Sequence, residues 1–255
     1  MRGFGRASPP FFWNLHVMSP QYQLSPYVFA CTTGRHCMFL DLLHDRYLSV
    51  PQPLMQLLAP RIQGWMDKQA APAAISPSSE EVDQLADDLV CAGVLTPYLG
   101  NYQSRVGRPP HMHSDFRSLI KNRRIPRSRS SSISAITALA FADFSLRSIP
   151  LWRVIRAITN RSRNSTPRTP EFFTANLSTL LVRFQEIRPW YPRNYLCLFD
   201  SFALTIFLQS HGISTQWTFG VREDPFGAHC WVQYGTVVLN DYIDRTQIYT
   251  PIMWI

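Results

Sequence analysis

The 255-residue sequence is poor in cysteine and lacks several patterns that mark common protein classes. Its five cysteines are an odd and scattered set without a CxxC pair, which fits a reducing compartment better than a disulfide framework. The sequence also has no internal repeat, no glycine-rich phosphate loop and no cluster of metal-ligating residues. We therefore expect a cytoplasmic protein and assign no metal site.

Long apolar runs are absent as well. Residues Met1–Pro20 contain no uninterrupted apolar segment of the kind found in secretory signals. The most apolar stretch, Ile133–Ile158, is broken by Pro150 and by four charged residues, so we expect no stable membrane insertion. With 45% hydrophobic residues, the chain is long enough to bury one sizeable core or two small ones.

Positive charge is concentrated in one segment. Ser104–Arg168 holds 14 Lys and Arg against two Asp, a net charge of +12, which leaves −4 for the rest of the chain. The most basic run, Ile120–Ser132, is rich in Pro and Ser, and it predicts an exposed basic linker over residues 101–130. The alternative to a simple linker is a segment that contacts an acidic partner or nucleic acid. Because no aromatic residues interleave the arginines and no recognition helix accompanies them, we expect no nucleic-acid partner.

The stretch DPFGAHCWVQYGTVVLND, which ends at Asp241, is typical of a β-hairpin. Two runs rich in Trp, Val, Tyr and Leu flank a turn signal at Gly235. With the turn centred on Gly235, His229 and Asp241 face each other, and opposed residues have Cβ atoms roughly 5 Å apart. The period of two directs Cys230 to the other face, so we expect Cys230 to lie outside a site formed by His229. The alternative is a histidine and an aspartate that merely end two strands.

A candidate nucleophile lies 32 positions before His229, in the stretch RNYLCLFDSFALTIFLQSHG. Apolar residues follow Cys197 at helical spacing, and Gly212 supplies a stop signal. Cys197 is therefore expected in the first turn of a buried helix, where the helix dipole and a nearby histidine favour the thiolate. The free amide groups of that turn could also stabilise the oxyanion of a tetrahedral intermediate. An inert core cysteine is the alternative.

The order Cys197, His229 and Asp241 on helix, strand and strand resembles the transglutaminase-like cysteine peptidases of lasso-peptide biosynthesis, the B maturation proteins. The resemblance is carried by AHCWV, by VVLND and by the stretch GISTQWTFGVREDPFG before them, and it covers about half of the chain. Many members have a small residue where Cys230 stands, a departure that we expect to leave catalysis unaffected. The resemblance implies an α+β fold in which residues 131–255 form a transglutaminase-like or papain-like domain, its cysteine helix packed on an antiparallel sheet.

Residues 1–100 are predicted to form a small unit of their own. Its expected elements are three strands at Tyr27–Cys31, Cys37–Leu42 and Tyr47–Val50, a helix in Pro51–Met66, and a second helix that begins with a capping box at Ser78–Glu81 and ends at Gly93. Strands followed by helices suit a small winged-helix-like binding module.

The pattern HDRYLSVP followed by EEVDQLADDLVCAGVLTP is similar to a peptide-recognition domain, itself similar to the pyrroloquinoline-quinone chaperone, that binds leader peptides of ribosomally made natural products. In that family an extended leader adds to the third strand and packs beside the third helix. The resemblance implies leader contacts at Tyr47, Leu48, Ser49 and Val50 on the strand and at Val82, Leu85 and Leu89 on the helix. Main-chain hydrogen bonds would supply affinity. A DNA-binding winged helix is the rival, which the acidic second helix argues against.

Together the two resemblances predict a leader peptidase for lasso-peptide precursors. Cys197 would attack the carbonyl at the leader–core junction, His229 would act as base and acid, and Asp241 would orient the imidazole. Tethering the leader raises the effective concentration of the cleavage site. The resemblance also implies a separate lasso cyclase of the asparagine-synthetase-like type as a partner and an association with ATP, although no nucleotide motif supports ATP here.

Two other functions use the same features. An amine-transferring transglutaminase or related acyltransferase would use the same three residues and admit an amine in place of water, but a leader-binding module speaks against it. A catalytically silent leader-binding adaptor is disfavoured because all three catalytic positions are filled.

Overall fold

The computed structural model describes residues 21–65, 78–100, 111–116, 130–163 and 170–255. Over these ranges the chain combines helices and several β-sheets in an α+β fold, as the sequence predicts.

The N-terminal unit contains the predicted strands and helices together with two short additional strands. Its elements are β1 (Tyr22–Leu24), β2 (Val28–Thr32), β3 (His36–Asp41), β4 (Arg46–Pro51), α1 (Gln52–Leu58), a 3-10 turn at Ala59–Arg61, α2 (Ser79–Cys91) and β5 (Leu95–Pro97). Helix α1 is shorter than predicted because the 3-10 turn contains Pro60, which has no N–H to continue an α-helix. Residue 66, the expected end of that helix, lies outside the described ranges.

The predicted capping box at the start of α2 is confirmed. Ser78 Oγ accepts from the Glu81 backbone N–H at 3.2 Å, and the Glu81 carboxylate accepts from the Ser78 backbone N–H at 2.7 Å. Gly93 follows the helix with φ +74°, a left-handed conformation that suits glycine. The chain then continues into β5, which pairs with β1 in a small antiparallel sheet that the sequence pattern does not predict.

The three-stranded antiparallel sheet β2-β3-β4 separates two hydrophobic cores. Side chains alternate along β3, so Phe39 faces the core formed with α1 and α2, whereas Met38 and Leu40 face a second core. That second core is made mainly by the C-terminal half of the chain. The N-terminal unit is thus packed directly against the C-terminal half through one face of its sheet.

The C-terminal half surrounds one buried helix with other helices and a five-stranded sheet. Its elements are β6 (Ser114–Asp115), α3 (Ser130–Ser148), α4 (Leu151–Arg163), α5 (Pro170–Ile187), a 3-10 turn at Arg188–Trp190, α6 (Cys197–Ser210), β7 (Gln216–Arg222), β8 (Gly227–Tyr234), β9 (Val237–Val238), α7 (Ile243–Thr246) and β10 (Thr250–Trp254). The strand order is β10-β7-β8-β9-β6, and α6 packs on β8 and β7. None of the helices in the described part of the chain has the length and apolarity needed to cross a membrane.

Part of the predicted linker belongs to this sheet, which corrects the expectation for residues 101–130. Ser114 and Asp115 form β6 and pair in parallel with Val237 and Val238. Phe116 is buried in the C-terminal core, so this segment is fixed by backbone pairing and by apolar burial. Residues 117–129, which hold most of the basic run, lie outside the described ranges, as do residues 1–20.

Candidate active site

The predicted hairpin is present, but its register differs by one residue from the expected one. Gln233 pairs with Val238 and Tyr234 with Val237, so the turn lies between Gly235 and Thr236. Continued along the strands, this register would place Tyr242, not Asp241, opposite His229. The strand β9 ends early because the Asn240 side chain, through Oδ1, accepts from the Val232 backbone N–H at 2.8 Å.

His229 and Asp241 meet because the chain leaves the sheet after β9. His229 Nε2 donates to Asp241 Oδ2 at 2.5 Å, and Asp241 Oδ1 accepts from the Tyr242 backbone N–H at 2.8 Å. The His229 side chain is 8% exposed, and the ring of Tyr249 lies 5.1 Å from the imidazole. The backbone N–H of Tyr242 thus fixes the Asp241 carboxylate, and the carboxylate fixes the orientation of the His229 imidazole.

Cys197 is the first residue of α6, as predicted, and its position is set by a buried ion pair. The N-cap residue Leu196 provides no side-chain cap, and its backbone N–H donates to Asp200 Oδ2 at 3.0 Å. Asp200 also accepts from Nε of Arg188, which is 4% exposed. The guanidinium of Arg188 further donates to the Asn194 carbonyl at 2.9 Å. No sequence pattern indicates this arginine, which fixes the loop leading into the cysteine.

The thiol and the imidazole shift each other's protonation. A hydrogen bond from the Cys230 thiol is the largest cause that lowers the pKa of Cys197; burial opposes it, and the hydrogen bond with His229 lowers the pKa further, to about 4. Burial lowers the pKa of His229, but hydrogen bonds to Asp241 and Cys197 outweigh it and raise the pKa to about 9. Between these values the pair is a thiolate and an imidazolium, the form that attacks carbonyl carbon.

The position of Cys230 contradicts the expectation that it lies outside the site. Helix α6 packs on the face of β8 to which Cys230 points, because Cys230 lies in one buried core with Phe199 and Phe202 of the helix. Cys197, in turn, is partly buried against that same core. The period of two correctly separates the faces of the strand, but it does not show on which face the helix lies.

The proposed leader-binding residues fall into buried and more accessible groups. Val50, Val82 and Leu89 are in the core of the N-terminal unit, at 5%, 3% and 4% exposure, so they support the module and do not present side chains to a ligand. Leu48 and Leu85 are partly buried against that core. Ser49 is exposed. Among the described strands, β4 forms an edge of its sheet.

Tyr47, also predicted to contact the leader, lies near the candidate catalytic thiol. Its ring meets that of Phe226, which precedes β8, with ring centroids 5.6 Å apart. Burial, and after it the nearby Cys230, Asp45 and Cys197, raise the pKa of Tyr47 to about 12. Tyr47 and Cys197 are thus both partly buried against the C-terminal core.

A polar contact next to this aromatic pair joins the two halves of the chain. His36 Nδ1 donates to Glu223 Oε1 at 2.6 Å, and the Arg35 backbone N–H donates to Glu223 Oε2 at 3.0 Å. These bonds, that of Arg35 foremost, lower the pKa of Glu223 to about 2. The loop that leads to His229 is thus attached to the turn between β2 and β3.

Gly220 provides the space in which His229 and its aromatic neighbours pack. It pairs with His229 across β7 and β8, and a Cβ added there would lie 2.9 Å from both Trp231 and Tyr249. We expect Gly220→Ala to destabilise the fold by about 1–3 kcal/mol through overpacking and to slow turnover. The measurement is thermal unfolding, with Gly227→Ala as the matched control because its added Cβ would have ordinary contacts at 3.6 Å. Equal melting temperatures for the two variants would contradict this explanation.

In the described part of the chain, no group of three or more His, Cys, Asp or Glu is placed to hold a metal ion. A cysteine, a histidine and a carboxylate are side chains that, when brought together, can perform acyl transfer.

One of three comparisons with known proteins finds a match. Searches of the curated proteins and of the solved structures give no match. Residues 136–254 match the model of a family described as the transglutaminase-like superfamily, and the matched range contains Cys197, His229 and Asp241. Residues 136–254 are therefore a transglutaminase-like domain, of a superfamily typical of cysteine proteases and acyltransferases.

Proposed function

We propose that this protein is a cysteine peptidase that binds the leader of a lasso-peptide precursor and cleaves it from the core peptide. The observation that carries the proposal is the His229–Asp241 hydrogen bond at 2.5 Å, with Cys197 at the start of the helix that packs on the strand of His229. Transglutaminase-like domains support this kind of chemistry. The specific substrate follows from the resemblance described above.

The proposed reaction proceeds in two acyl transfers. The Cys197 thiolate attacks the carbonyl carbon at the leader–core junction, and amide groups in the first turn of α6 stabilise the oxyanion. The His229 imidazolium gives its proton to the leaving amine, which becomes the N-terminus of the core. Neutral His229 then takes a proton from water, which attacks the thioester and releases the leader as a carboxylate. Asp241 stabilises the imidazolium in both steps.

The leader would be delivered by the N-terminal unit. The accessible positions of β4, and the packing of Tyr47 and Cys197 against the same core, support a leader that adds to β4 and continues toward Cys197. Binding at one place and cleavage at a nearby place raises the effective concentration of the scissile bond. Leader recognition would then set most of the specificity, and the free core would pass to a separate cyclase.

The proposal is tested by incubating the full chain with the precursor peptide encoded beside its gene and following the products by mass spectrometry. We expect one cut that releases leader and core, each with the mass required by addition of water. A peptide of the leader alone should compete with the precursor, whereas a leader of scrambled sequence should not. An intact precursor would refute the peptidase. A product that carries an added amine, when methylamine is supplied, would identify an acyltransferase instead.

A further inference from the structure

A cavity of about 170 Å³ lies beside the start of α6. Its deeper part is formed by apolar side chains of the C-terminal core that are almost inaccessible to solvent, namely Leu181, Phe184, Leu204 and Leu239. Tyr195, which is 66% exposed, also lines the cavity. The cavity therefore leads from the protein surface at Tyr195 into an apolar interior.

The walls of the cavity include neighbours of two candidate catalytic residues. Asp200, which lines it, accepts from the backbone N–H of Leu196, the residue before Cys197, at 3.0 Å. Asn240, which also lines it, is the residue before Asp241. A peptide held with its carbonyl at the Cys197 sulfur would thus lie close to this cavity.

Helix geometry places the cavity below the candidate nucleophile. Cys197, Asp200 and Leu204 are spaced by three and then four residues, so they share one face of α6. With a rise of about 1.5 Å per residue, Asp200 lies about 4.5 Å and Leu204 about 10.5 Å from Cys197 along the helix axis. A side chain that enters from the thiol end therefore meets Asp200 first and the apolar floor at Leu204 last.

The size and polarity of the cavity select a single apolar side chain. A dry cavity of about 150 Å³ can hold benzene, whereas sites for drug-sized ligands begin at about 300 Å³. The two charged residues in the wall, Arg188 and Asp200, are hydrogen-bonded to each other, and Arg188 also donates to the carbonyls of Arg193 and Asn194. A charged guest would find these charges already paired, so a leucine- or phenylalanine-sized side chain fits better.

The position of His229 indicates which side of the scissile bond supplies this side chain. His229 lies on β8 and gives its proton to the leaving amine, so the core side of the substrate lies at the imidazole. The described residues that line the cavity come from α5, α6, the loop between them and the segment after β9, and none comes from β8. The cavity is therefore left for the acyl side, which is the leader.

We propose that this cavity is a specificity subsite that binds an apolar side chain of the leader next to the scissile bond. The inference rests on the proposed function, since it takes Cys197 as the nucleophile, and it adds a substrate requirement to it. Leader binding at the N-terminal unit would bring the precursor to the protein, and the cavity would fix which peptide bond reaches the thiol.

The test uses the full-length protein and three peptide chloromethyl ketones, acetyl-Gly-Gly, acetyl-Gly-Leu and acetyl-Leu-Gly, which present only the acyl side of a substrate. The thiolate displaces chloride and forms a thioether, and peptide mapping assigns the modified residue. We expect one leucine compound to alkylate Cys197 about tenfold faster or more than the diglycine compound, because only it fills the cavity. The position of that leucine identifies the leader residue concerned.

Substitutions at Leu204 link this preference to the cavity. Leu204→Phe fills the cavity and should bring the leucine and diglycine rates close together. Leu204→Ala enlarges it and should increase the rate of the matching tryptophan compound relative to the leucine compound. Leu208→Phe and Leu208→Ala are the matched controls, because Leu208 is equally buried one turn further along α6 but outside the cavity wall. Each ratio is taken within one variant, so changes in thiol reactivity cancel.

Equal rates for the three compounds with the wild-type protein would overturn the proposal. A leucine preference that persists unchanged in both Leu204 variants would overturn it as well, since the preference would then arise elsewhere. Either result is compatible with cleavage of the precursor, and a leucine preference together with an intact precursor would refute only the leader peptidase. Absence of Cys197 alkylation by every compound would refute both.

Discussion

Cys197→Ala is expected to abolish precursor cleavage while leaving the protein folded and able to bind the leader. A methyl group cannot form the thioester, and loss of a triad nucleophile costs on the order of 10⁶ in turnover. The side chain is only partly buried at the start of α6, so its removal leaves the helix and its ion pair in place. Cleavage is followed by mass spectrometry, and leader binding by fluorescence anisotropy with a labelled leader peptide.

Substitutions of the other two candidate catalytic residues should reduce turnover to different degrees. His229→Ala removes the proton carrier and should be nearly as inactive as the cysteine variant. Asp241→Asn keeps the size of the side chain but removes its charge, with an expected loss of up to about 10⁴. Asp244→Asn is the matched control, because Asp244 is an exposed carboxylate three positions further along the chain. Normal turnover by Cys197→Ala would exclude the mechanism.

Arg188→Ala should cause the largest loss of stability among single substitutions near the site. The Arg188 and Asp200 side chains are 5% and 18% exposed, and removing one partner of a buried pair costs about 3–5 kcal/mol. The substitution also removes donors to the Arg193 and Asn194 carbonyls, at 3.1 and 2.9 Å. Burial already raises the pKa of Asp200, so the isolated carboxyl would take up a proton and part of the cost would be offset.

Thermal unfolding measures this loss, at roughly 2–4 °C for each kcal/mol in a chain of this size. Arg183→Ala is the control on the preceding helix: Arg183 pairs with Glu186 at 2.7 Å, but both side chains are more exposed, so we expect at most about 1 kcal/mol. Arg188→Lys should recover only part of the loss, since an ammonium lacks the planar fork. A melting temperature of Arg188→Ala equal to that of Arg183→Ala would contradict the anchoring role.

Local pattern was enough to predict the helix that begins at Cys197, the strand that carries His229 and the contact between His229 and Asp241. The helical spacing after Cys197 and the strand composition around His229 each depend on nearby residues, which is why they could be recognised along the chain. The capping box at Ser78 is local in the same way. The one-residue error in register arose because the turn lies between Gly235 and Thr236, and the Asn240 side chain then replaces strand pairing.

Contacts between distant segments could not be predicted in this way. Strand β6 has only two residues and pairs with a segment more than a hundred positions later, so composition carries no signal for it. The role of Arg188 depends on carbonyl groups of a loop, which have no sequence signature. The burial of Cys230 against α6 could not be predicted either, because alternation along one strand does not show which sheet face the helix covers.

The two-sided sheet β2-β3-β4 also limits how this protein can be recombined. Met38, Leu40 and Leu42 complete the C-terminal core, so a recognition module from another protein would have to bring apolar residues at the same three positions. One inserted or deleted residue in β3 would exchange its two faces and place each set of side chains in the wrong core. A fusion joined in the basic segment between the halves would therefore remove one wall of the C-terminal core. A fusion that keeps β2-β3-β4 and replaces only the elements on its other face, α1 and α2, would leave that core complete.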